Sequence, residues 1–209
     1  MLKNCLREPI GEIQEAALLL DAAVLAFTLG NRKIAAELIG LADMPIIADW
    51  TESLWGKGGP WTRPLATENP LPFVQRGQRI PNRMPDAMAK RDLLKRDGFH
   101  CRFCSMPLIR QETRSRIKSE FPDVVRWGSR NSEQHAAFQA MWLQFDHLVP
   151  HARGGTNNID NIVVTCAPCN NGRSNLTLEE VGLFDPRTRQ PMQSKWDGLE
   201  RFKSASLSQ

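Results

Sequence analysis

QFDHLVPHARGG, residues 144–155, places an aspartate beside a histidine after a short apolar lead-in, and a proline and two glycines follow. Carboxylates bind hard metal ions, and imidazoles exchange protons near neutral pH. If Asp146 and His147 end an extended segment, their side chains point to opposite sides. One of them can then hold a metal while the other faces water. The pattern therefore indicates a chemical site, although an Asp-His pair alone is more often an ordinary turn.

Two cysteine pairs enclose this stretch. Cys101 and Cys104 form one C-x2-C knuckle, and Cys166 and Cys169 form a second. Four thiolates at this spacing can bind one tetrahedral zinc ion, whereas the alternative is four buried small side chains without a metal. The gap between the knuckles is long for such a site, so residues 105–142 are read as an insertion that leaves and returns. The fifth cysteine, Cys5, is read as a lone thiol.

Composition indicates a folded protein but not its partner. Of the 209 residues, 41% are hydrophobic, and 27 Lys and Arg stand against 23 Asp and Glu. This mild excess of positive charge suits a polyanion and many other partners equally well. The most apolar segment, residues 15–30, contains Glu15 and Asp21 and is shorter than the ~20 residues that span a bilayer. We therefore expect no membrane contact, no secretory signal and a cytoplasmic location.

The N-terminal part is predicted to be helical. Residues 1–55 should form a helical hairpin, with one helix from Gly11 to Leu29 and a second over residues 31–42. Residues 56–85 contain so many glycines and prolines that they are predicted to be a linker wrapped around the rest of the chain.

The remaining chain is predicted to form the domain that carries the cysteines, residues 86–185, and a tail, residues 186–209. A short basic helix should begin this domain and end at Gly98. The last part of the insertion, from Ser132 to Trp142, should also be helical.

The order of these elements resembles the HNH endonuclease family. The resemblance rests on CRFC (101–104), DHLVPHARGG (146–155), NIVVTC (161–166) and CAPCNNGRSN (166–175), and it covers about residues 90–180. It implies an α+β fold, namely a ββα-metal nuclease module on a zinc-ribbon-like scaffold with an N-terminal helical appendage. Asn170 stands where many members have a third histidine, so this chain has the H-N-N form of the pattern.

The resemblance implies a role for each site residue. His147 is the expected general base, and Asn161 is expected to accept a hydrogen bond from its ring and to fix its tautomer. Asn161 could also be an ordinary turn or cap residue. Asp146 and Asn170 are the expected oxygen ligands of a catalytic Mg²⁺ or Mn²⁺, and the four cysteines are expected to hold a structural Zn²⁺.

Further side chains are candidate contacts to nucleic acid. Arg153 and Arg173 flank the site and could bind phosphate, and His151 could touch phosphate or metal. For each of them the alternative is a solvated side chain. The basic helix, with Lys90 and Arg91, could follow a nucleic-acid backbone or simply face water.

The predicted function is metal-dependent hydrolysis of DNA phosphodiester bonds, by nicking or by double-strand cleavage. Two alternatives stand beside it. The first is a zinc-ribbon nucleic-acid-binding module without catalysis, for which Asp146, His147 and Asn161 would have no use. The second is a nuclease acting on RNA, or one recruited by a partner protein through the N-terminal helices in a bacterial defence or mobile-element system.

Overall fold

The first part of the chain folds into three helices. In the computed structural model, which describes residues 2–55 and 60–202, they are α1 (Gly11–Thr28), α2 (Arg32–Leu41) and α3 (Pro45–Trp55). The predicted hairpin of two helices is present. Helix α3 is not among the predicted helices; it begins at a proline in the first helical position and buries Ile47, Trp50 and Leu54.

Residues 60–85 contain a single helical turn, a 3₁₀ helix at Arg76–Gln78. The rest of this segment is extended or bent and lies along the C-terminal half of the chain, where the Val74 amide donates to the carbonyl of Ala152. The interpretation of residues 56–85 as a wrapping linker stays a prediction. Its first four residues, 56–59, lie outside the described residues.

Helix α4 (Ala87–Asp97) is the predicted basic helix. Asp86 caps its first turn by accepting a hydrogen bond from the Ala89 amide, and Gly98 ends it with a φ of 69° that L-residues rarely adopt. The buried carboxylate of Asp97 then accepts from the Val164 amide at 3.0 Å, so the end of α4 is fixed to the strand described below.

The insertion contains two helices, α5 (Gln111–Glu120) and α6 (Ala136–Ala140). The sequence analysis did not predict α5. The predicted helix from Ser132 to Trp142 is shorter than expected, because a 3₁₀ turn at Asn131–Glu133 precedes it and the backbone becomes extended after Met141. The insertion returns to its start, as expected, since the Ile109 amide donates to the carbonyl of Met141.

Two antiparallel strands and a helix complete the domain. β1 (Leu143–His147) pairs with β2 (Ile162–Cys166), and α7 (Ala167–Arg173) follows β2 directly. Every residue of β2 is buried, whereas β1 is covered only in part. This β-β-α unit and the surrounding helices confirm the predicted α+β class.

One hydrophobic core runs through these segments. At one end Phe202 stacks on Phe27 of α1, with the ring centroids 4.9 Å apart, and Phe27 also contacts Phe121 edge to face. At the other end Leu6 and the Leu54 carbonyl lie so close to Gly172 of α7 that a Cβ at this position would meet both within 3.0 Å. The N-terminal helices therefore pack against the domain over a buried surface, and the tail contributes Phe202 to the same core.

The sequence also predicts that the chain makes no membrane contact and that a partner protein could dock on the N-terminal helices. None of the described helices combines the length and the apolarity that a membrane span requires. Helix α1 exposes Leu18 and Leu25, which are seven residues apart and therefore lie on one side of the helix, and Leu29 just after its end is also exposed. Docking of a partner protein on these helices stays a prediction.

Candidate active site

The four knuckle cysteines meet in one buried group. Their sulfur atoms all lie within 4.8 Å of one another, and Cys104 Sγ is 3.7 Å from Cys166 Sγ. Cys101 and Cys104 come from the turn after α4, Cys166 ends β2, and Cys169 lies in the first turn of α7. The predicted convergence of both knuckles is confirmed. Burial raises the pKa of Cys166, and a bound cation would favour its thiolate form. Four sulfur donors at this spacing could hold a tetrahedral Zn²⁺.

Asp146 and His147 end β1 and line one cavity of about 340 Å³. Both residues are still paired with β2, Asp146 with Val163 and His147 with Ile162, so the pair does end an extended segment as expected. That their side chains point to opposite sides stays a prediction. Asn170, from α7, lines the same cavity. The structure thus brings together three of the residues that the sequence analysis assigned to the reaction.

Asp146 is one half of a buried ion pair. Its two carboxylate oxygens accept from Arg173 Nη2 at 2.6 Å and Nε at 3.1 Å, and the Arg173 side chain is 1% exposed. The remaining Arg173 donors bind the carbonyls of His147, Leu148 and Leu176. Burial raises the pKa of Asp146, and the charge of Arg173 opposes that rise. Arg173 therefore fixes the end of β1 and neutralises the carboxylate.

His147 is oriented by Asn157. His147 Nε2 lies 2.8 Å from Asn157 Oδ1, and Asn157 Nδ2 donates to the carbonyls of Asn82 at 2.7 Å and Met84 at 3.2 Å. Carbonyl oxygens only accept, so the amide nitrogen of Asn157 must face them and its oxygen must face the imidazole. Nε2 then carries the proton of the neutral ring, and Nδ1 is left as the basic nitrogen.

The protonation of His147 follows from its surroundings. Burial lowers its pKa, and the hydrogen bond to Asn157 and the charge of Asp146 act in the opposite direction. The net lowering favours the neutral imidazole near pH 7, which is the form that can accept a proton.

Asn161 does not have the contact that the sequence analysis expected. Its side-chain oxygen accepts from the Val149 amide at 2.9 Å, and its nitrogen donates to the carbonyls of Val149 and Thr156. It thus braces the loop between β1 and β2. Gly155 packs so closely against this part of the loop that a Cβ added to it would lie 1.7 Å from the Val149 carbonyl oxygen. Asn157, four residues earlier, has the position next to His147 because the loop folds back over the strand end.

The two arginines proposed as phosphate contacts are structural. Arg173 is paired with Asp146, and Arg153, which is 8% exposed, pairs with Glu180 at 3.0 Å and lies over the ring of Phe73. Both have their donors directed inward, so this part of the prediction is wrong. His151 does line the cavity, with its Nε2 3.0 Å from the Ile80 carbonyl.

Two other arginines line the cavity instead, Arg79 and Arg83 of the linker. Neither these arginines nor Asn157 is among the predicted site residues. The available signal was the density of arginines in VQRGQRIPNR, residues 74–83, within a segment read only as a linker. Nothing in the local sequence marks Asn157, since its role depends on contacts with residues about 75 positions earlier.

Comparison with known proteins gives a match over part of the chain. Residues 132–176 match the family model described as HNH endonuclease. The match includes β1, β2, α7 and the loop with Asn157 and Asn161, and it begins after the first cysteine knuckle. No curated protein and no solved structure matches the chain.

Proposed function

From the HNH endonuclease domain that residues 132–176 of this chain form, we propose that the protein is a divalent-cation-dependent nuclease that hydrolyses phosphodiester bonds of DNA. The domain itself supports a nuclease. The substrate, the cation and the roles of single residues are the proposal. The observation that carries it is the orientation of His147 in a cavity that also contains Asp146 and Asn170.

His147 is the proposed general base. With Nε2–H directed to Asn157, the unprotonated Nδ1 can take a proton from a water molecule. That water attacks the phosphorus in line with the departing 3′ oxygen. Asn157 acts as a positioning residue because it holds the tautomer that the reaction requires. Asn161 is also proposed to be a positioning residue, since its hydrogen bonds to Val149 and Thr156 hold the loop that contains Asn157.

The donors in the cavity fit a weakly held Mg²⁺ or Mn²⁺. Asp146 and Asn170 offer oxygen atoms, the type of ligand that these ions prefer, and Mg²⁺ commonly takes one or two carboxylates and completes its shell with water and substrate phosphate. When bound, the ion would stabilise negative charge on the phosphoryl and leaving-group oxygens. Arg173 compensates the charge of Asp146, and we therefore expect low affinity before substrate binds.

Zinc has a separate, structural role in this proposal. The four cysteines would hold Zn²⁺ and thereby join the turn after α4 to the start of α7. Asn170 directly follows Cys169, so the position of this candidate ligand depends on the zinc group.

Nuclease assays test the proposal. Protein whose zinc content has been measured is freed of other divalent ions and incubated with supercoiled plasmid or single-stranded RNA, with EDTA, Mg²⁺ or Mn²⁺. We expect nicked plasmid only when the cation is present. His147→Ala should remain folded, keep its zinc and lose about 10²–10⁴-fold in rate, the usual contribution of a general base.

Each alternative has its own outcome in this assay. Cleavage of RNA alone would replace the proposed substrate. Binding without cleavage in any condition would indicate a non-catalytic module, and wild-type rates for His147→Ala would refute the proposed base.

A further inference from the structure

A segment outside the matched range borders the candidate site. We call residues 70–85 the strap. It supplies Arg79 and Arg83 to the cavity that contains His147. Arg83 is exposed and Arg79 is half-buried, and the charge of Arg83 is close enough to lower the pKa of His147. Positive charge is thus placed beside the proposed general base by a part of the chain that precedes the domain.

Hydrogen bonds fix the strap to the loop that follows β1. The Asn82 and Met84 carbonyls accept from Asn157, and the Ile80 carbonyl lies 3.0 Å from His151 Nε2. These contacts lie on either side of Arg83 and next to Arg79 in sequence. The two guanidinium groups are therefore carried on backbone whose position is tied to the site.

A second cavity, of about 600 Å³, borders the first. The two cavities share Met84, Gln144 and Phe145 in their walls. Helix α4 lines the second cavity with Lys90 and Arg91, and Lys90 Nζ lies 5.8 Å from the centre of the Phe145 ring. The two cavities are therefore neighbours, and we call them together the depression.

The cations that line this depression are not paired with carboxylates of the described residues, unlike several arginines elsewhere in the structure. Within the described part of the chain, Arg79, Arg83, Lys90 and Arg91 take part in no ion pair. By contrast, Arg96 of α4 is bound to Asp97 and to the carbonyls of Ile159 and Ile162. Two carboxylates, Asp86 and Glu112, also line the second cavity. The Asp86 carboxylate caps α4 by accepting a hydrogen bond from the Ala89 amide.

We propose that Arg79 and Arg83 of the strap, together with Lys90 and Arg91 of α4, form a binding track for the phosphodiester backbone that leads into the candidate active site. This inference rests on the proposed function and adds to it the residues that hold the substrate. These cations take part in no ion pair among the described residues, and they line the cavity of the proposed general base and the cavity next to it, so they match the charge of a nucleic-acid strand.

Two double variants with equal charge test the track. Arg83→Ala with Arg91→Ala removes one cation from each cavity. Arg76→Ala with Lys95→Ala is the matched control, because these exposed cations lie on the strap and on α4 but line neither cavity. Both changes lower the formal net charge from +4 to +2, since each removes two cations.

Binding is measured by fluorescence anisotropy over a range of NaCl concentrations, without Mg²⁺ or Mn²⁺. The probes are a short DNA duplex and a single-stranded RNA of the same length. Each lost phosphate contact should reduce the slope of log K against log salt by about 0.9 for the duplex or about 0.7 for the single strand. We expect a decrease of about twice that value for the Arg83 and Arg91 variant and an unchanged slope for the control.

Equal slopes for the two variants would overturn the track, as would a wild-type protein that binds neither probe. Cleavage assays separate this result from the proposed function. If the wild-type protein cleaves DNA and the Arg83 and Arg91 variant has unchanged KM and kcat, the track is wrong and the nuclease proposal stands. If binding depends on these arginines but nothing is cleaved, the track stands and the proposed hydrolysis falls.

Discussion

His147 and Asn157 form the contact on which the proposed chemistry depends most directly. Asn157→Ala removes the acceptor that holds the Nε2 proton, so the imidazole can rotate and exchange tautomers. We expect kcat to fall about 10–100-fold, as for other partners that orient a reactive side chain, while KM changes little. Steady-state kinetics on a nicked-plasmid assay measures both values. Unchanged kcat would show that Asn157 is only a loop residue.

Asn170 is the second proposed ligand of the catalytic cation, and it lines the same cavity as Asp146. If its amide oxygen is a ligand, Asn170→Ala should raise the Mg²⁺ concentration needed for half-maximal cleavage, and Asn170→Asp should lower it or leave it unchanged. Asn170→His should shift the preference toward softer transition metals. The measurement is a titration of Mg²⁺ and Mn²⁺ against the rate of nicking. Superimposable curves for the wild-type protein and Asn170→Ala would leave Asp146 as the single assigned protein ligand.

The loop between β1 and β2 is the element that presents the site. It begins at the strand end, passes Gly154 with its φ of 86°, and is braced by three hydrogen bonds from the Asn161 side chain. Asn161→Ala removes all three, which should destabilise the protein by about 1–3 kcal/mol, since each neutral hydrogen bond contributes about 0.5–1.5 kcal/mol and water replaces part of it.

The effect of Asn161→Ala on activity should be indirect. Because Asn161 contacts the loop backbone, we expect a lower kcat without any change in the metal concentration that is required. Thermal unfolding and a Mg²⁺ titration on the same variant provide the two readouts. Asn158→Ala, which removes a hydrogen bond to the Asp160 amide in the same loop, is the control. Equal losses of stability and of kcat in both variants would mean that Asn161 is an ordinary loop residue.

The N-terminal helices are joined to the domain by a charged contact. Asp43, just after α2, accepts from the Ala136 amide at the start of α6 at 2.7 Å and from Arg126 Nε at 2.7 Å. Burial acts to raise the pKa of Asp43, but these hydrogen bonds lower it overall. A carboxyl group whose pKa is lowered by folding stabilises the native state above its unfolded pKa of about 3.9, and this stabilisation is lost as the pH falls through the folded value.

Asp43→Asn should therefore destabilise the protein near neutral pH, by about 1.5–3 kcal/mol for the charged hydrogen bonds. The difference in the free energy of unfolding between the variant and the wild-type protein should become smaller below about pH 3.9. Urea unfolding at a series of pH values tests this. A difference that does not depend on pH would assign the effect to geometry and not to charge.

Zinc should contribute to the stability of the protein. If the four cysteines hold one ion, the purified chain carries about one Zn²⁺, and Cys166→Ser should strongly destabilise it, because structural zinc contributes on the order of 10 kcal/mol in small metal-dependent folds. Elemental analysis and thermal unfolding are the measurements. Cys5→Ser is the matched control, since Cys5 is buried but is not part of the group. Folded protein without zinc would contradict the prediction.

Local spacing is enough to predict the central features of this protein. The two C-x2-C knuckles, the Asp-His pair and the basic helix ended by Gly98 are each defined within a few residues, and the structure places them as expected. Their geometry follows from short-range rules, because a knuckle or a cap is built from neighbours in sequence.

Tertiary structure alone decides which side chains surround His147. Asn157 replaces Asn161 beside the imidazole because a folded-back loop sets the distance, not the spacing in sequence. Arg173 is withdrawn from solvent because a buried Asp146 requires a compensating charge. Arg83 reaches the cavity because hydrogen bonds tie a linker to a loop about 75 residues later. Such pairings depend on where distant segments meet when the core closes, and no local pattern encodes them.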